Sequence, residues 1–206
     1  MEPHARIINE TAAAAFRPLG VRRRGSSRLW YDDRGWNATC VEFAPSRHAK
    51  GTSVSVSICW LWYPQDYWTF DHRCFWEDFV EYESDESFGA AVRGMVARSA
   101  AEIGSHRSKL HRYSDALGFM DHSSTDGWKL LDRGIAAALA NKNDLAISCL
   151  ESISDPRADL DWVKNRSRNI ALLLAILKNG GDVTTLVKDW IEQRRSALKL
   201  PALVGF

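Results

Sequence analysis

The chain is short of the patterns that usually announce chemistry. It has four cysteines, Cys40, Cys59, Cys74 and Cys149, and no two form a C-x-x-C pair. No H-E-x-x-H occurs either, so the usual zinc-ligand spacings are missing. There is no G-x-S-x-G elbow for a serine nucleophile. No glycine-rich phosphate loop is present, because Gly180-Gly181 follows a helical stretch and reads as its end. No apolar run is long enough for a membrane span. The opening "MEPHARIINETAAAAFRPLG" lacks the hydrophobic core of a secretory signal. A formal net charge of +1 gives no global pull toward nucleic acid. The expectation is a cytoplasmic protein with reduced thiols, no cofactor, no metal and no membrane partner.

What is present is a globular composition: 206 residues, 45% hydrophobic and 26% charged. Residues 5–17 are alanine-rich and read as a helix that "RPLG" ends, since Pro18 cannot donate and Gly20 permits a turn. The period then changes. Three strands, about 21–31, 36–45 and 52–63, predict an antiparallel meander, with a hairpin turn at Asp33-Arg34-Gly35. The third strand is the clearest. Val54, Val56, Ile58, Trp60 and Trp62 share one face; Ser53, Ser55, Ser57, Cys59 and Leu61 share the other. "FVEYE" (79–83) is a candidate fourth strand, and the aromatic stretch 67–76 reads as irregular.

From Ser84 the period is helical. Phe88, Val92, Met95, Val96, Ser99, Ile103 and Leu110 form one stripe of a helix over 86–111, with Ser84 or Asp85 as its cap. The last third reads as helices throughout. Their stripes are Trp128, Leu131, Ile135, Leu139; then Ala146, Ile147, Leu150, Ile153; then Trp162, Ile170, Leu173, Leu174, Leu177; then Leu186, Trp190, Ile191, Leu198. Asn143 is a candidate cap, and Asp155-Pro156 and "NGGD" are stops. The first pair loosely resembles a tetratricopeptide unit at Trp128, Leu131, Ala146 and Pro156, but the spacing is off by about two residues and there is no second copy, so it reads as an ordinary helical hairpin. The expected class is α+β: an antiparallel meander of three to four strands packed on helices, followed by an antiparallel helical part. The division is 1–121 and 122–206, at "HSSTDG", with the helical part either separate or continuous with the first.

Charge is locally uneven. Residues 64–90 hold eight acidic side chains against Arg73 alone, a net −7. With the neighbouring aromatics this gives a partner-binding candidate: Tyr67, Trp68, Glu77, Asp78, Glu81 and Glu83. A second candidate is the basic run Arg22, Arg23, Arg24 with Arg28, beside Trp30, Tyr31 and Trp36. Such a basic aromatic surface suits single-stranded nucleic acid. Arg22, Arg24 and Arg28 share a parity, which is also how an edge strand carries charge against sheet pairing. For an enzyme the best-placed residues are His48, Asp71, His72 and Cys74. "DHRC" supplies three potential ligands in four residues, whereas His106 and His111 are five apart and do not share a helix face. No catalytic residue is assigned.

The segments "PLGVRRRG", "RLWYDD", "VEFAPS" and "VSVSICWLW" resemble the N-terminal part of bacterial proteins grouped as domain-of-unknown-function family 4304, over about residues 10–85. The resemblance implies a bacterial α+β fold and transfers no activity or catalytic residue. The functional expectation is a non-enzymatic protein-interaction module, in one form immunity-like. The alternatives are a nucleic-acid binder and an enzyme of unrecognised type.

Overall fold

The structure, a computed structural model, describes residues 2–155, 157 and 159–202. They divide into two compact units. One runs to Leu61 and resumes over Tyr67–Lys109; the other takes Trp62–Asp66 and the chain from Leu110 onward. The second unit therefore begins upstream of the 122–127 stretch and also borrows a short piece after the third long strand.

The first unit is a sheet with helices on one face. Helix α1 (Pro3–Phe16) buries Ile8, Ala12 and Phe16, a row at spacing four. Gly20 takes φ 76° just past the helix and turns the chain. Five antiparallel strands follow in sequential order: β1 (Arg22–Arg23), β2 (Leu29–Asp33), β3 (Asn37–Ala44), β4 (Gly51–Trp60) and β5 (His72–Glu81). The β2–β3 hairpin turns where expected, with Asp33 Oδ1 accepting from the Gly35 amide at 3.0 Å. The expected strand over 21–31 is broken, because Ser27 donates its amide to the Arg24 carbonyl and closes a turn around Gly25.

β4 is as the parity predicts on the helix side. Val54, Val56 and Ile58 are fully buried, and Trp60 stacks on Trp36 with centroids 5.8 Å apart. Helix α2 (Asp85–Lys109) is capped by Ser84 Oγ, which accepts from the Ser87 amide. Its stripe Phe88, Val92, Met95, Val96, Ser99 and Ile103 is buried, and one cluster joins it to Ile8, Phe16, Trp30, Phe43, Val54 and Val56. The opposite sheet face is partly closed by 67–71. Trp68 packs on Tyr31 at 4.9 Å, and Asp71 Oδ2 accepts from the Trp60 amide and from Thr69 Oγ1.

While 67–71 is irregular as expected, β5 corrects the reading of 72–76 as irregular. It is a ten-residue strand interrupted by two bulges. Val56 pairs with Phe75 and Ser57 with Arg73, so Cys74 is an extra residue; Thr52 pairs with Val80 and Val54 with Glu77, so Asp78 and Phe79 together face Ser53. Each bulge resets the parity, which hides the alternation from a sequence reading.

The second unit is helical: α3 (Gly127–Leu139), α4 (Asn143–Glu151), α5 (Asp161–Lys178) and α6 (Thr184–Ala197). Asp126 caps α3 by accepting from the Trp128 and Lys129 amides. Asn143 is the first helical residue of α4 and makes no side-chain cap. α3 and α4 meet closely at Gly134, where a Cβ would lie 2.8 Å from the Leu150 side chain. α5 ends before Gly180, at φ 71°, with the Gly181 amide bonded back to the Ile176 carbonyl. The expected stop at Pro156 lies outside the described residues. Trp162, expected in the core, is 39% exposed, while Arg166, Arg194 and Arg195 are buried. No helix among the described residues is long and apolar enough to cross a membrane.

Candidate functional site

The first unit brings chemistry-bearing side chains together at one place, where β5 passes α2. Cys74, Glu102 and His106 each present a ligand atom, and the three atoms lie within 4.8 Å of one another. The bulge in β5 inserts Cys74 opposite the Val56–Ser57 step. Bulges often re-aim a side chain in this way. Glu102 and His106 are four apart on α2, so they stack on one helix face. His106 is 2% exposed, and its Nε2 lies 3.3 Å from Glu102 Oε1. Its Nδ1 lies 2.9 Å from Thr39 Oγ1 on β3. Thus Glu102 on α2 and Thr39 on β3 fix the imidazole plane from its two nitrogens.

The electrostatics are those of a partly dry site. Burial pushes the Cys74 thiol up to about 12, with the Glu102 charge adding to it. Burial also holds the His106 imidazole below its ordinary value; Glu102 opposes that shift and the His72 ring reinforces it. Cys74 is a thiol under these conditions, with Sγ donating to the His72 carbonyl at 3.5 Å. A cysteine nucleophile needs the reverse, a thiol pulled down toward the thiolate. The burial of Cys74 works against that role.

The residues singled out in "DHRC" separate. Asp71 is committed to Trp60 and Thr69, while His72 pairs across β4 with Ile58. His48 lies in the β3–β4 loop, where its amide donates to Ser46 Oγ. Of that set, Cys74 alone joins the cluster. Glu102 and His106 carried no sequence signal: His106 was considered with His111, five residues on, and its true partner sits one turn earlier.

The partner-binding set also divides. Trp68 is buried against Tyr31. Glu77 is held in a fork by Arg98, with Nη2 to Oε2 at 2.8 Å. Both leave the candidate surface, because one is core and the other is paired. Tyr67, Asp78, Glu81 and Glu83 are exposed. They are joined by two aromatics of β5, Trp76 at 55% and Phe79 at 38% exposure. No ion pair to Asp78, Glu81 or Glu83 occurs among the described residues.

The basic set is dispersed. Arg22 lies in β1, Arg24 in the turn after it, and Arg23 is spent on the Ser26 and Ser27 carbonyls. Arg28 is half-buried with Nη2 3.5 Å from His4 Nε2. The aromatics meant to stack bases, Trp30, Tyr31 and Trp36, are buried. The shared parity fails because the turn at 24–27 breaks the strand.

The fold and these sites define an α+β protein with an antiparallel sheet and a helical C-terminal part. No family model matches the chain, and no curated protein or solved structure matches it.

Proposed function

We propose that the chain is a protein-interaction module that docks a basic, strand-forming segment on β5. The observation that carries this reading is the strand itself. β5 is the last of five in the sheet order, ten residues long, with no strand on its outer side among the described residues. Edge strands normally protect themselves, since a free row of amides and carbonyls is a template for pairing. This one carries two of those protections, its bulges and its charges, yet still shows Trp76 and Phe79 to solvent, beside Asp78 and Glu81. Strand addition takes affinity from main-chain bonds and specificity from alternate side chains. Exposed aromatics supply anchors, and the uncompensated carboxylates favour a cationic partner.

The immunity-like form of this reading is a special case in which the basic partner is a toxin. The reading does not rest on the resemblance to family 4304, which carries no activity. Four free cysteines fit a reducing compartment such as the cytoplasm.

The test uses synthetic peptides alternating Lys or Arg with Val or Trp, titrated against the full chain. Binding is expected to weaken at least tenfold in Trp76→Ala and in Asp78→Lys/Glu81→Lys. Hydrogen exchange should slow at the β5 amides directed away from β4. If the peptides bind wild type and both variants alike, or if protection falls elsewhere, the reading is wrong.

A further inference from the structure

We propose that Cys74, Glu102 and His106 form a binding site for a single zinc-class divalent cation, with an open fourth position toward solvent. The proposal is independent of the docking reading above. It rests on geometry, donor chemistry and charge.

The geometry is close to what a tetrahedral ion needs. Zinc sits about 2.3 Å from sulfur and about 2.0–2.1 Å from nitrogen or oxygen, which separates its ligand atoms by roughly 3.3–3.6 Å. His106 Nε2 and Glu102 Oε1 already stand 3.3 Å apart, one edge of such a tetrahedron. All three donor atoms fall within 4.8 Å, so the face must close by about 1 Å at its widest to grip an ion. Helix α2 fixes two ligands at i and i+4, and the β5 bulge delivers the third from the sheet.

The donor set chooses the metal. One thiolate, one imidazole and one carboxylate together suit zinc over magnesium or calcium, which take oxygen ligands. Three protein ligands with one open position is the catalytic pattern; structural zinc sites are closed by four. Here the Glu102 side chain is 33% exposed while His106 is 2% exposed, so the open side faces water over the carboxylate. The His72 ring is close enough for its charge to act on His106.

A second shell is in place. Metal-bound histidines characteristically donate their remaining ring N–H to a nearby acceptor, which fixes ring tautomer and orientation. Thr39 Oγ1, at 2.9 Å from Nδ1, is placed to accept that proton, leaving Nε2 toward the ion. Thr39 is wholly buried, so it has no solvent-exposed role to explain it.

Charge balance points the same way. A thiol and a carboxylate side by side in a half-buried groove oppose each other's ionisation. A divalent ion with thiolate and carboxylate ligands makes a neutral cluster. On binding, the Cys74 thiol gives its proton to bulk water as the metal–sulfur bond forms, the His106 and Glu102 donors replace water ligands of the hydrated ion, and no electron moves.

The experiment is titration of the metal-free full chain with Zn²⁺ by calorimetry, and with Co²⁺ by absorption. Wild type should take up one ion per chain, and cobalt should show a thiolate-to-metal charge-transfer band. Cys74→Ser, a conservative change at a half-buried position, should abolish the band and weaken zinc at least 100-fold with the melting temperature of the metal-free protein unchanged. Glu102→Gln should weaken it by a smaller factor and keep the band. Thr39→Val should cost about 10–100-fold in affinity through ring orientation alone, also with the band retained. His72→Ala separates the fourth-position question: unchanged affinity leaves water there, and a loss makes His72 a fourth ligand and overturns the open site. Binding that is absent, or equal in wild type and Cys74→Ser, overturns the proposal.

Discussion

In the sheet unit α1 and α2 meet the sheet in an apolar cluster, and most polar side chains buried in that unit, among them Asn37, Thr39, Thr52, Ser57 and Ser99, are uncharged. Phe16 meets Trp30 edge-on at 5.5 Å, and Val41, Phe43, Val54 and Val56 surround them. In the helical unit the buried face of α5 carries Arg166 between Val163 and Ile170, and α6 buries Arg194 and Arg195. Arg166 lies over both Trp128 and Trp162, at 5.0 and 5.3 Å, and donates to Asp155 at 2.8 Å. Arg194 donates to the Tyr63 carbonyl, and Asn169 to the Tyr63 hydroxyl. The apolar cluster of one unit excludes water; the other holds Arg166 among indoles, where the ring faces and a carboxylate replace hydration.

The largest effect expected from this contrast is in the first unit. Trp30→Ala should cost about 3–5 kcal/mol in urea unfolding, because the cavity left between α1 and the sheet cannot collapse around Phe16. Next comes Gly51→Ala, which probes how tightly β5 is held. A Cβ there would overlap the Val80 carbonyl oxygen and sit 2.7 Å from the Phe79 ring. The backbone must yield, at up to about 3 kcal/mol. A change under about 0.5 kcal/mol in Gly51→Ala would mean that β5 gives way freely at this point.

The helical unit should respond through charge. Arg166→Leu keeps volume but removes the cation, and should cost about 2 kcal/mol, the value of a desolvated cation–π pair. If Arg166→Leu is instead stabilising, the arginine serves specificity and the apolar isostere packs better. The same region has a pH signature. The Arg157 guanidinium, with Arg166 beyond it, holds the Asp155 carboxyl well below the usual carboxylate range. A carboxyl depressed in the folded state contributes stability above its unfolded value near pH 4. That contribution is lost as pH falls through the folded value. Melting of the wild type should therefore drop more between pH 5 and pH 2 than melting of Asp155→Asn.

The same contrast explains what a sequence reading can and cannot see. The β4 alternation and the α2 stripe are periodic and uninterrupted, so Val54, Val56, Val92 and Met95 were legible as core. β5 was legible only at its end, in the strand expected over 79–83, because two bulges break its parity at Cys74 and at Asp78-Phe79. Those breaks also conceal the cluster, since Cys74 becomes a neighbour of α2 only through the extra residue. Glu102 and His106 are 28 and 32 positions from Cys74, a pairing that only the register of β5 on β4 decides. In the helical unit, apolar stripes located the helices, but a charged residue on a buried face has no periodic signal of its own. Arg166 fits the period of Val163 and Ile170, but a charge at such a position ordinarily marks a solvated face.

Two tryptophans make the smallest and most discriminating test. Trp76 and Trp162 are similarly exposed, 55% and 39%, and accessible area alone treats them alike. Their surroundings differ. Trp162 stacks on Trp128 at 6.0 Å and has Arg157 4.8 Å from its ring centroid. Trp76 faces Ser55 across the strand pair, on the sheet side away from α2. Trp162→Ala should thus cost about 1 kcal/mol through lost stacking and cation–π contact. Trp76→Ala should stay within about 0.5 kcal/mol, as substitutions free of packing do. Equal losses in chemical denaturation would place Trp76 in the framework of the fold and remove it as an anchor for a docked strand. A neutral Trp76→Ala that still loses the basic peptide separates binding from stability at one residue.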